Sequence, residues 1–140
     1  MRGVPTSRHG EPLNVRIEHV ALWSTDPERL RDFYVRWFGA TANDGYENPK
    51  KAFRSWFLRL GTGARIEVMQ VPALATAAPQ PAVGYAHIAL SLGSEPAVDD
   101  LTARLRAAGV PIVDGPRRTG DGYYESVALD PDGNRIELTA

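Results

Sequence analysis

Glu18-His19-Val20-Ala21-Leu22 returns 68 residues later as Ala86-His87-Ile88-Ala89-Leu90, an apolar segment with histidine in second place both times. A longer stretch, Phe57-Leu58-Arg59-Leu60-Gly61-Thr62-Gly63-Ala64-Arg65-Ile66-Glu67-Val68, is answered at an offset of 70 by Val127-Ala128-Leu129-Asp130-Pro131-Asp132-Gly133-Asn134-Arg135-Ile136-Glu137-Leu138. Gly63, Arg65, Ile66 and Glu67 thus correspond to Gly133, Arg135, Ile136 and Glu137. A chain written twice is expected to fold as two copies of one unit. Each unit, about 55 residues, is too small to be comfortable alone, so the two are expected to pack together. The boundary falls in Pro72–Ala82, rich in proline and alanine and without strand character. This divides the chain into a loose leader (1–14), module 1 (15–71), a linker (72–82) and module 2 (83–140).

Working outward, each unit reads as strand, helix, then three strands. Val15–Trp23 alternates apolar and polar residues, the mark of a strand. Asp26 before Pro27 is an N-cap with proline at the first helical position. Leu30, Phe33, Tyr34, Trp37 and Phe38 share one helical face, and Gly39 is placed to end it. In the second unit Ser94 is the cap, Val98, Leu101, Leu105 and Ala108 form the face, and Gly109 closes it. Strands are expected over Ala40–Glu47, Phe53–Leu60 and Ala64–Val71, then over Pro111–Arg117, Tyr123–Leu129 and Asn134–Thr139. Gly61-Thr62-Gly63 and Pro131-Asp132-Gly133 turn the last hairpins. The expected class is α+β: two four-stranded sheets, each backed by a helix.

Composition closes off other classes of function. The 140 residues carry 16 basic and 17 acidic side chains, so there is no electrostatic argument for a nucleic-acid partner. No run approaches the roughly 20 apolar residues of a membrane span. The first 14 residues lack the apolar core of a secretory signal, and the expectation is a cytoplasmic protein. With no cysteine, thiolate nucleophiles, disulfides and zinc–thiolate sites are all excluded, and any metal must be held by imidazole and carboxylate.

The repeat places His19 and Glu67 where His87 and Glu137 recur, one residue of each pair on a first strand and one on a last. Two imidazoles and two carboxylates suit a borderline divalent ion: nickel, zinc, cobalt or manganese. Two negative charges would balance it. A single histidine on an apolar strand is more often an ordinary hydrogen-bonded core residue, but recurrence of both residue types shifts the weight. An alternative for Arg65-Ile66-Glu67 and Arg135-Ile136-Glu137 is an arginine paired with the glutamate beyond it. Glu18, off the face of His19 by strand parity, reads as solvated. Trp23, Phe53, Trp56, Met69, Tyr123 and Tyr124 are candidates for the wall of a substrate pocket. Parity sets Trp56 opposite Phe53 and Phe57, and Tyr124 is a candidate hydrogen-bond donor to substrate.

Over residues 15–140 the chain resembles the vicinal oxygen chelate superfamily: glyoxalase I, bleomycin-resistance proteins, extradiol dioxygenases, fosfomycin-resistance enzymes and methylmalonyl-CoA epimerase. The marks are Glu18–Leu22 followed by Asp26, Phe33-Tyr34 and Phe38-Gly39, then Ala86–Ala89 and Asp130–Glu137. The resemblance implies tandem βαβββ modules around a metal-containing cleft, commonly in a homodimer whose sites can form across two chains. It maps the metal ligands onto His19, Glu67, His87 and Glu137, a quartet most similar to that of bacterial glyoxalase I. It also implies proton transfer alpha to a carbonyl, with Glu137 as base and Glu67 as its counterpart.

Two positions depart from the glyoxalase pattern. Trp23 stands where an arginine receiving glutathione is usual, and Val71 where an asparagine is common. Both make the site more apolar than glutathionyl methylglyoxal would require. A small-molecule binding or resistance protein of the same fold is the main alternative to a lyase or isomerase, with epimerase and dioxygenase chemistry behind it.

Overall fold

The computed structural model describes residues 3–140; Met1 and Arg2 of the expected leader lie outside the described residues. The rest of the leader is exposed apart from half-buried Ser7 and makes one antiparallel bridge, Thr6 to Pro12.

The first helix, α1 (Pro27–Phe38), starts where the Asp26 carboxylate accepts the Arg29 N–H at 3.1 Å. It ends at Gly39, whose φ of 66° is the left-handed conformation that a side chain would penalise. The second helix, α2 (Glu95–Ala107), is capped in the same way by Ser94, which accepts from Ala97 N–H at 3.2 Å. Leu30, Phe33 and Tyr34 of α1 are buried, as are Val98, Leu101, Thr102 and Leu105 of α2. Ala108, expected on the α2 face, is exposed. Thr102 is buried there in its place, because its hydroxyl is satisfied by Val98 C=O at 2.6 Å and Ser126 Oγ at 2.7 Å.

The strands form two sheets. In the first, β1 (His19–Trp23), β5 (Arg65–Gln70), β4 (Phe53–Arg59) and β2 (Thr41–Ala42) lie in that order, and β3 (Tyr46–Asn48) also pairs with β4. The second has the order β6 (His87–Ser91), β9 (Arg135–Thr139), β8 (Tyr124–Leu129), β7 (Ile112–Arg118). β1 runs parallel to β5 and β6 parallel to β9; the other neighbours are antiparallel. Tandem βαβββ modules in an α+β fold are what the repeat required.

Two expected strands differ. The first begins at His19 rather than Val15, leaving Val15 and Ile17 78% and 69% exposed. Its ladder partner β5 starts at Arg65, opposite His19, so the residues before it have nothing to pair with. The expected strand Ala40–Glu47 is split into β2 and β3, which makes the first sheet five-stranded. Asn43 Oδ1 accepts from both Gly45 N–H and Phe57 N–H at 3.1 Å, folding the chain out of the ladder. Gly45, at φ 87°, lies so close to Trp56 that a Cβ there would stand 2.6 Å from the indole nitrogen.

One core joins both modules: Leu30 and Tyr34 with Leu58, Ile66 and Val68, and Val98 and Leu105 with Ile136 and Leu138. Fully buried Tyr34 carries the polar link, donating its hydroxyl to Asp130 Oδ2 at 2.9 Å. Asp130 also accepts from Asp132 N–H, Asn134 N–H and Asn134 Nδ2, which holds the turn leading into β9. Arg29 reaches Asp132 at 3.2 Å beside it.

Candidate functional site

Register decides which side chains share a face. Ala21 lies opposite Glu67 and Phe57 opposite Glu67 on the other side; Trp23 and Ser55 flank Met69. Side chains alternate along a strand, so His19, Ala21, Trp23, Phe53, Ser55, Phe57, Arg65, Glu67 and Met69 all lie on the sheet face turned away from α1. In module 2, Ala89 and Val127 flank Glu137, so His87, Glu125, Arg135, Glu137 and Thr139 share the corresponding face. The ambiguity of Glu67 between Ile66 and Val68 is resolved by packing: Ile66 and Val68 are buried in the core, so Glu67 turns the other way.

On these faces the predicted pairs come together. His19 Nε2 is 3.7 Å from Glu67 Oε1, and His87 Nε2 is 3.1 Å from Glu137 Oε1. The glutamates are mostly covered, 15% and 22% exposed, whereas the imidazoles are more open at 39% and 38%. The four do not gather in one place: among the described residues no three histidine, aspartate or glutamate side chains are grouped closely enough to hold an ion. A cleft of about 1340 Å³ runs between β1 and β6, and both histidines line it, with Ile17, Tyr85, Trp37 and Phe38.

Glu18 is not merely solvated. Its Oε1 is 3.2 Å from His19 Nδ1, and it forms an ion pair with Arg65. The guanidinium next door holds its carboxyl below the usual glutamate value. The β1–β5 ladder ends there, Glu18 C=O accepting Arg65 N–H at 3.0 Å, so parity no longer dictates where the side chain goes. Arg65, considered above as a partner for Glu67, is therefore engaged by Glu18.

The pocket candidates divide. Trp23, 54% exposed, Phe53 and Met69 stand on the face of His19 and Glu67. Trp56 faces the helix layer, with Arg31 and Arg54 stacked on its ring. Tyr124 also lies away from the site: its hydroxyl donates to Asp99 of α2. Tyr123 is exposed at the edge of the turn before β8. Phe57 was missed as a site residue; its ring meets the His19 imidazole edge-on, centroids 5.3 Å apart. Glu125 was missed as well. Burial, then the charge of Glu137, pushes its carboxyl above the usual glutamate value. Arg117 lies directly opposite Glu125 but is committed to Asp114, its Nε donating at 2.8 Å. The alternation of β8 with β9 was the signal that could have found Glu125.

The profile of the Glyoxalase/Bleomycin resistance protein/Dioxygenase superfamily matches residues 16–138. Similar solved structures include the trypanothione-dependent glyoxalase I of Leishmania major, 25% identical with a TM-score of 0.73 over 90% of this chain and 86% of that one. A glyoxalase family protein from Enterococcus faecalis is 23% identical, TM-score 0.71, over 89% of this chain and 97% of that one. A glyoxylase/bleomycin resistance protein/dioxygenase domain from Frankia is 17% identical, TM-score 0.76, over 89% and 96%. The likeness spans bacterial and eukaryotic proteins and does not single out the bacterial glyoxalases. No curated protein matches the sequence. No described helix is long and apolar enough to cross a membrane.

Proposed function

The chain belongs to the Glyoxalase/Bleomycin resistance protein/Dioxygenase superfamily, and from that membership we propose that it is a divalent-metal-dependent lyase or isomerase moving a proton on the carbon beside a carbonyl. One observation carries the reading. In each module an imidazole Nε2 faces a carboxylate oxygen, at 3.7 Å and 3.1 Å, in the same strand register.

Each pair offers one nitrogen and one oxygen donor, and the two pairs together carry two negative charges. That donor set fits nickel, zinc, cobalt or manganese. The pairs are not grouped within one chain, so a second copy completes the site: His19 and Glu67 of one chain with His87 and Glu137 of the other. β1 and β6 are suited to meet it, since each has a strand neighbour on one side only.

When bound, the ion supplies polarisation of a carbonyl and offsets charge developing on its oxygen. The protein's own groups do the rest. Glu137 takes the proton from the carbon and returns it to the neighbouring atom, a general-base role worth about 10²–10⁴-fold in rate. Glu67 is its counterpart across the site. His19 and His87 offer Nε2. Trp23, Phe53, Phe57 and Met69 hold the apolar part of the substrate and keep water from it.

Elemental analysis of protein purified without chelator tests this, together with NMR of carbon-bound proton exchange in hemithioacetals and acyl thioesters. About one ion per shared site, with exchange, is expected. Protein that takes up no metal and exchanges no proton overturns the proposal. A second reading, sequestration of a planar apolar molecule, is favoured by the exposure of Trp23 beside Met69. Binding of a planar aromatic antibiotic to metal-free protein would support it instead.

A further inference from the structure

His19 is flanked by side chains that His87 lacks. Glu18 Oε1 stands 3.2 Å from His19 Nδ1. Arg65 holds Glu18, its Nε 3.3 Å from Oε2, and its guanidinium carbon lies 4.2 Å over the Phe57 ring. Phe57 in turn meets the imidazole edge-on at an interplanar angle of 83°. The equivalent positions in module 2 are Ala86, Arg135 and Val127, so neither the carboxylate nor the aromatic ring is present.

A neutral imidazole has one N–H, and the acceptor nearest to it selects the nitrogen. For His19 that acceptor is Glu18, at Nδ1; Glu67 Oε1, 3.7 Å from Nε2, is beyond hydrogen-bonding distance. No hydrogen bond fixes the His87 ring among the described residues; Glu137 Oε1 lies 3.1 Å from Nε2 as a close contact only.

We propose that Glu18 is a positioning residue. By accepting from Nδ1–H of His19 it keeps the Nε2 lone pair free for a cation, so module 1 is the pre-set half of the ion site. Module 2 is the half that is not pre-set, since no acceptor holds the ring proton of His87 on Nδ1 and both tautomers are open to it. The inference rests on the metal reading above and adds to it an order: the His19 half is ready before the His87 half.

The test is the ring ¹⁵N–¹H correlation spectrum of the full-length, metal-free protein at a pH where the imidazoles are neutral, followed by titration with Zn²⁺. Wild type, Glu18→Ala and Glu18→Gln are compared, with His87→Asn used to assign the His19 signals. In wild type, His19 is expected as the Nδ1–H tautomer and His87 as a mixture of both tautomers. Glu18→Ala mixes the His19 tautomers and weakens zinc binding about 10–100-fold, the range for loss of an outer partner of a metal-bound histidine. Glu18→Gln, still an acceptor, retains most of both. A mixed His19 ring in wild type overturns the proposal, as does a Glu18→Ala protein with unchanged zinc affinity. If wild type takes up no zinc but shows His19 as the Nδ1–H tautomer, and Glu18→Ala mixes it, the metal reading fails and the bracing of His19 stands.

Discussion

In module 1, β1 meets β5 with Ala21 beside Glu67; in module 2, β6 meets β9 with Ala89 beside Glu137. The backbone register is the same, although the histidines repeat at 68 residues and the glutamates at 70, so the extra length is absorbed between the strands. Around that shared frame the side chains part. One face carries Trp23, Phe57 and Met69; the other has Ser91, Val127 and Thr139 at the matching places, and Glu125 in place of Ser55. One wall is apolar and aromatic, the other polar and acidic. A repeated backbone can therefore keep two ligand pairs while their surroundings diverge, because register constrains where a residue stands and not what stands next to it.

The helices diverge in the same way. Tyr34 and Thr102 are equivalent positions, 68 apart, and both are fully buried. Thr102 is satisfied within its own module by Ser126, whereas Tyr34 crosses to Asp130 of the other module. Asp130 has no polar counterpart, since Leu60 occupies the matching turn. The link between modules is thus one-sided.

The largest test of the comparison is the choice of base. Glu137→Gln is expected to lower proton exchange by about 10²–10⁴-fold with the fold intact, and Glu67→Gln by less. Equal losses would erase the distinction between the two modules. Next in size is the inter-module link. Tyr34→Phe is expected to cost about 1–3 kcal/mol by leaving a buried Asp130 oxygen short of a donor, read from chemical denaturation. Thr102→Val, which leaves the Ser126 hydroxyl without a partner in its own module, should cost about 1 kcal/mol. The reverse order would mean that the modules are held by the apolar core alone.

A smaller effect is pH dependence. Burial holds the Asp130 carboxyl above the ordinary aspartate value despite its hydrogen bonds. The folded chain therefore keeps this proton to higher pH than the unfolded one. The group's contribution to stability is full below the unfolded value, about 3.9, and declines as pH rises through the folded one. Asp130→Asn should flatten that part of the profile, whatever it does to stability as a whole. Finally, Ala86→Glu adds to module 2 the carboxylate that module 1 already has. It should convert His87 toward the Nδ1–H form in the ring spectrum with little change in melting temperature. An unchanged ring would show that Glu18 alone is not enough without Phe57 beneath Arg65.

Much of this was legible in the residues. The repeat, both helix caps, the face of α1 and the two His–Glu pairs follow from local patterns: a period, a capping side chain, a glycine in place. Periodicity, being local, reports which residues share a face only while the ladder lasts. Past its end at Glu18 the side chain was free to fold back on His19, so parity, which left it exposed, did not reveal its contacts with His19 and Arg65. Trp56 and Tyr124 were expected in the pocket as aromatic residues near the site. Alternation along β4 and β8 turns both toward the helix layer, where arginines stack on their rings and Asp99 takes the tyrosine hydroxyl.

The sequence by itself determined a duplicated α+β fold and two imidazole–carboxylate pairs, because both are written in spacing and residue type along short stretches of chain. Only the tertiary structure decided that Glu67 and Glu137 face away from the core, that Arg65 serves Glu18, and that the two pairs stay apart within one chain. Those outcomes depend on which strand lies beside which and on how Tyr34 docks the modules. They are set by packing between residues far apart in the chain, from Ala21 and Glu67, 46 apart, to Tyr34 and Asp130, 96 apart, a distance over which no local pattern carries information.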